Sequence, residues 1–211
     1  MGEAKHLPHH EKEAATAFII TMLVYVFAEP VVGMVTESKL AYLIVKLLAV
    51  GTLMFYWRKW YTFALKFDIM AVLAGILIAL LWIWVDPYYQ HLSEPNSHVY
   101  TIFEIVLKIC LTLIIAPVAE EFFTRFFLHR FVQEPDWLNA ALGKFSWNAF
   151  IWTTVFFGFS HGRWLAGLIA GIAFNLLWYW KKDMNSVVTA HAVANLMLAI
   201  AVLAFGMWQF W

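Results

Sequence analysis

From about residue 17 onward the chain is one apolar run after another, broken only by short polar connections, and no water-soluble fold can absorb that pattern. Seven runs stand out, at 17–35, 40–57, 69–85, 101–122, 146–160, 164–180 and 186–208. A helix needs about 20 mostly apolar residues to cross a bilayer. Apolar and aromatic residues make up 63% of the chain and charged residues 13%, whereas a soluble domain is about a quarter charged. A chain of this size cannot hide so much hydrocarbon in a core, because a small folded body keeps a large surface. Low charge with abundant aromatic residues is also the opposite of a disordered composition. The solvent is therefore lipid. The expected fold class is all-α, a polytopic bundle of about seven spans, since a helix satisfies its own backbone in hydrocarbon.

Residues 1–16 read as a polar cytoplasmic tail and 17–211 as a single transmembrane domain. On that layout ten of the fourteen Lys and Arg fall on the N-terminal side of the membrane and only Lys39 and Arg163 on the other. The basic excess marks the cytoplasmic face, which places the chain in the cell membrane with its N-terminus inside. The loop 86–100, with Asp86, Glu94 and no Lys or Arg, fits the outside. Zero net charge argues against nucleic acid as a partner. A single cysteine, Cys110, excludes an internal disulfide and a cysteine-based metal site. The run at 146–160 is about 22 Å long as a helix, short of a layer about 30 Å thick. The run before it stays apolar through Val132, with a kink expected at Pro117. A long helix beside a short one brings polar groups to intermediate depth and can cut a wet cavity into a bundle.

Ionisable side chains inside such a bundle are costly and mark function by default. Three groups concentrate them: Glu120, Glu121 and Arg125; Phe157, Ser160 and His161; His191 and Asn195. Glu121 and Arg125 are four apart and share a helix face, so they can pair. Glu120 lies about 100° around the helix and is left free for chemistry. His191 and Asn195 also share a face, as do Phe157 and His161, the ring wedging the imidazole. Such a set fits hydrolysis. Glu120 acts as general base on a water that His161 fixes, while His191 and Asn195 hydrogen-bond the oxyanion. No serine or cysteine nucleophile is required. Ser160 lacks a Gly-x-Ser-x-Gly setting, and no motif surrounds Cys110.

At these positions the chain resembles the CPBP intramembrane proteases, which include the CAAX endopeptidases. The family's Glu-Glu-x-x-x-Arg, Phe-x-x-x-His and His-x-x-x-Asn motifs stand here as Glu120 to Arg125, Phe157 to His161 and His191 to Asn195. The resemblance covers about residues 100–200. It implies a glutamate-dependent protease without cofactor or metal, with catalytic residues Glu120, His161, His191 and Asn195 and with Glu121, Arg125 and Phe157 supporting them. Its partners would be the bilayer and a membrane-associated protein or peptide, lipidated or not. The domain then divides into N-terminal spans at 17–98, which carry no family mark and are the place for substrate choice, and catalytic spans at 99–211.

Two other readings compete. Glu120, His161 and His191 could be three zinc ligands around an open site, although Asn195 then has no role. The chain could also be a non-catalytic membrane binding or immunity protein of the same fold. Elsewhere, Gly167 and Gly171 read as a close helix contact, His6, His9 and His10 as a solvated cluster, and His129 with Arg130 as interfacial. Glu29, Lys46 and Lys108 could line an ion path, though snorkelling explains them as well. One tension remains: His161 ends an outward-running helix and meets Glu120 only if the 161–163 turn stays buried.

Overall fold

The computed structural model describes residues 9–92 and 98–211; residues 1–8, with His6, and 93–97, with Glu94, lie outside the described residues. Seven helical rods occupy the seven apolar runs: α1 (His9–Gly33), α2 (Lys39–Tyr56), α3 (Ile69–Val85), α4 (Ile102–Gln133), α5 (Trp147–Phe159), α6 (Trp164–Lys181) and α7 (Met184–Phe205). The described residues contain no strand. Five rods are long and apolar enough to cross a membrane: α1, α2, α3 with the turn that follows it, α4 and α7. With 13 residues, α5 is the short element, about 20 Å at a rise of about 1.5 Å per residue.

Local chemistry sets the helix ends. Asp68 caps α3 by accepting the Met70 and Ala71 amides at 3.0 and 3.4 Å. Thr101 and Glu104 form a reciprocal capping box at the start of α4, and Asp183 accepts the Ser186 amide at 2.8 Å to start α7. Gly206 ends α7 in the left-handed conformation (φ 69°) that a side chain would resist.

The rods pack as pairs around α4: α1 on α2, α5 on α6, and α3 chiefly on α7 and then on α6. α4 touches α2 near its start, α1 and α7 in its middle and α5 near its end. Close approach depends on glycine. A Cβ on Gly75 would strike the Ala190 carbonyl between α3 and α7, and one on Gly167 would sit 3.0 Å from the Gly158 backbone between α6 and α5. The small-residue spacing at Gly167 and Gly171 is thus a helix contact, with Gly158 as its counterpart. Leu48, Phe55, Leu73, Leu77, Leu176 and Leu203 face outward, as they must when the surroundings are lipid.

Three expectations change. The first helix begins at His9 instead of 17, because Ala14, Ala17 and Phe18 turn one face into the core and continue the helix through the polar stretch. Phe18 packs on Tyr61, Phe122, Phe126, Phe127 and Trp137. His129 and Arg130 are buried, not interfacial. Arg130 donates to the Leu138 carbonyl at 2.6 Å and to the Ala140 carbonyl at 2.8 Å, holding the 134–146 loop, and His129 bonds the Tyr179 hydroxyl at 2.9 Å. Arg125 and Arg130 therefore leave the count of exposed basic residues on the N-terminal side, which keeps eight there against two on the other. Pro117 produces no isolated break. α4 instead contains two stretches of wider π winding, Leu111–Ile115 and Phe122–Leu128, on either side of it, the irregularity that often marks functional helices.

Candidate active site

Glu120 and Glu121 stand at the end of the α-helical piece of α4 between the two π stretches, and their side chains diverge. Glu121 is fully buried; its Oε1 takes hydrogen bonds from Arg125 and His191, while Oε2 is held by charge alone. The Arg125 guanidinium lies 3.1 Å from the carboxylate and the His191 ring nitrogen Nδ1 2.8 Å from it. Arg125, also fully buried, gives a further bond to the Gly171 carbonyl at 3.1 Å and lies 4.7 Å from the Phe157 ring centroid. Glycine at 171 lets α6 come close enough to offer that carbonyl.

Glu120 is 5% exposed, and its Oε2 has no hydrogen-bond partner among the described residues. The Nε2 of His161 stands 3.7 Å from that oxygen. On the far side of the ring, Nδ1 is 2.7 Å from the Phe157 carbonyl. A carbonyl can only accept, so Nδ1 carries a proton, and Nε2 of the neutral ring presents a lone pair toward Glu120. Phe157 packs against the same imidazole at a tilt of 38° with centroids 4.7 Å apart, and Trp82 contacts it edge-on at 5.5 Å. The 161–163 turn is half-buried, not sunk in the bundle, yet His161 still reaches Glu120 because the turn is tied down. Arg163 pairs with Asp86 at 2.6 Å, the Leu92 amide bonds the Gly162 carbonyl at 2.8 Å, and the Trp164 indole bonds the Gln90 carbonyl at 3.0 Å. The segment after α3 thus covers the 161–163 turn.

His191 uses Nδ1–H on Glu121, since a carboxylate held by Arg125 accepts. Its Nε2 is left outside that bond, and the ring lines the cavity. Phe174 stacks on the ring at 5.1 Å. Asn195 gives one amide proton to the Thr112 carbonyl at 2.7 Å, within the first π stretch of α4, and keeps the other.

Glu120, His161, His191 and Asn195 all line one cavity of about 190 Å³, room for several waters. Its wall also takes Tyr25 from α1, Ile78, Ala79 and Trp82 from α3, and Phe210 after α7. These come from outside the three motifs, and no local spacing announces them. Ser160 bonds the Phe157 carbonyl and the His161 ring and does not line the cavity. Among the described residues no group of three or more His, Cys, Asp or Glu is arranged to hold a metal ion.

Helices of this length and apolarity define an integral membrane protein, and they enclose a buried, partly unsatisfied carboxylate–imidazole cluster. Residues 102–197, which contain all three motifs, match the family model described as type II CAAX prenyl endopeptidase, Rce1-like. The match supports the CAAX endopeptidase, or CPBP, family of intramembrane proteases for this segment of the chain. No curated protein and no solved structure is a significant match.

Proposed function

We propose that the protein is an intramembrane endopeptidase that hydrolyses a peptide bond of a membrane-associated protein or peptide, with Glu120 as general base. The observation that carries the reading is the Glu120 carboxylate, buried at a cavity wall with an unsatisfied oxygen 3.7 Å from the His161 Nε2. A buried polar atom left without a partner is costly, and a water bound between carboxylate and imidazole relieves that cost at the point of attack. Glu120 takes a proton from the water as its oxygen adds to the scissile carbonyl carbon. The resulting oxyanion meets the free amide proton of Asn195 and the His191 ring, which Glu121 holds through Nδ1. When the C–N bond breaks, the proton held by Glu120 passes to the leaving amine.

The basic excess on the His9 end of α1 supports an N-terminus on the cytoplasmic face of the cell membrane. The zinc reading has no group of three His, Cys, Asp or Glu arranged for a metal behind it among the described residues. Mass spectrometry of membrane-protein termini in cells carrying wild type or Glu120→Gln tests the proposal and finds the substrate. Fragments present only with wild type are expected, and they persist in the presence of a chelator. The same fragments in both cell lines would remove the enzyme reading and leave the non-catalytic one.

A further inference from the structure

The segment that matches the protease family starts at residue 102, yet the cavity is closed on one side by α1. There Tyr25 lines the wall together with Glu120. Its hydroxyl is close enough to the Glu120 carboxylate to interact with it. Behind the phenol, on α2, the Lys46 ammonium sits 3.8 Å from the Tyr25 ring centroid and donates a hydrogen bond to the Tyr42 hydroxyl at 3.1 Å. Lys46 forms no ion pair among the described residues. The carboxylates whose charge reaches it are Glu120 and Glu29. A lysine within an apolar helix would ordinarily snorkel to the nearest interface. This one is instead laid under an aromatic ring, in the geometry of a strong cation–π contact.

We infer that Tyr25 and Lys46 are positioning residues for Glu120, supplied by the two helices that precede the family segment. The phenol O–H donates to the carboxylate and fixes which oxygen faces His161. The ammonium on the ring face draws electron density from the phenol, which strengthens that donor, and it adds positive charge where the bundle otherwise offers Glu120 little. The other titratable or charged groups around Glu120 are His161 on α5, His191 on α7, and Glu121 with Arg125 on α4 itself. α3 and α6 present only Ile78, Ala79, Trp82, Ala170 and Phe174 to the cavity. Arg125 is neutralised by Glu121 at 3.1 Å, so Lys46 is the cation with no carboxylate of its own at contact distance. The inference deepens the proposed function, since it rests on Glu120 as the base.

The test reads Glu120 directly and needs no substrate. Infrared difference spectra of the protein in liposomes are recorded against pH for wild type, Tyr25→Phe and Lys46→Met. The protonated-carboxyl band of Glu120 is identified by its absence in Glu120→Gln. Tyr25→Phe keeps the ring and its packing, and Lys46→Met keeps the side-chain length, so both fold. In each variant the band should persist to higher pH than in wild type, by about one unit. The double variant should move less than the sum, because the ammonium acts through the phenol. A band that titrates as in wild type in Tyr25→Phe overturns the inference. Should Glu120→Gln retain cleavage, the proposed function falls while the infrared result still decides the positioning role.

Discussion

Two buried polar clusters lie on neighbouring faces of the same bundle, and they are built to opposite rules. Between α5 and α6, Asn175 is fully buried and bonds the hydroxyls of Thr153 and Thr154 at 2.9 and 3.0 Å, with Thr153 also bonding the Ala149 carbonyl at 2.7 Å. Every partner in that network is within the helix pair, and none of the three residues lines the cavity. A turn away, Glu120 keeps an oxygen without a partner, His161 keeps a free Nε2, and Asn195 keeps a free amide proton. A saturated network binds two helices together. An unsaturated one holds capacity in reserve for a ligand. The difference separates structure from chemistry more sharply than residue type does, for both clusters contain an asparagine that reaches a neighbouring helix.

The adjacent carboxylates carry a related contrast, Glu121 being tied to Arg125 and His191 and Glu120 to no cation at contact distance, and exchanging each for its amide is the strongest way to break it. Glu120→Gln should lower the cleavage rate by about 10³-fold, the range of a lost general base, with the melting temperature in detergent close to wild type. Glu121→Gln should do the reverse first. It leaves the fully buried Arg125 guanidinium without its carboxylate and should destabilise the fold by about 3–5 kcal/mol, measured by thermal unfolding. A stable Glu121→Gln protein beside an unfolded Glu120→Gln protein would invert the assignment.

Asn175→Ala sharpens the comparison from the structural side. It strands two threonine hydroxyls and should cost about 1–3 kcal/mol of stability, while cleavage per folded molecule stays at the wild-type rate. A drop in specific activity without a drop in stability would place Asn175 with the reactive cluster after all.

Much of this was legible before any coordinates, and what was legible was local. Spacing of four put Glu121 with Arg125 on one face, and the structure pairs them at 3.1 Å. The same spacing put His191 and Asn195 toward one cavity. The apolar runs located all seven rods to within a few residues except at the start of α1, where Ala14 and Phe18 carry a core-facing stripe through a polar stretch. Non-local partners left no trace in the pattern. Nothing in the sequence says that His191 spends Nδ1 on Glu121, nor that Asn195 answers a carbonyl in the wide turn at Thr112. Tyr25 was invisible as a site residue because it is one tyrosine in an apolar helix, 95 positions from Glu120. Gly75, by contrast, stands in a small-residue repeat with Ala71 and Ala79 at spacing four, a local signal of the α3–α7 contact that it permits. His129 and Arg130 misled for the complementary reason: position in a run gives depth along the chain, not which neighbour covers a side chain.

The smallest effect belongs to the basic end of the bundle, where a third polar cluster meets water. Asp68 caps α3 and accepts from Lys181 at 2.6 Å and from the Ser186 hydroxyl at 2.8 Å, tying α3 to α6 and α7. The Lys181 ammonium, ahead of the serine and backbone donors, holds its carboxyl down at about 2. Because the folded value lies below the ordinary carboxylate value of about 3.9, the clamp stabilises the fold fully above about pH 4 and is lost as pH falls toward about 2. Solvent screening at this rim keeps the effect small and salt-sensitive. Asp68→Asn, melted alongside wild type from pH 5 downward, should show a modest deficit at pH 5 that closes as the acid limb is reached and shrinks in high salt. A deficit of constant size across that range would mean that the cap geometry, and not the charge on Asp68, joins the three helices there.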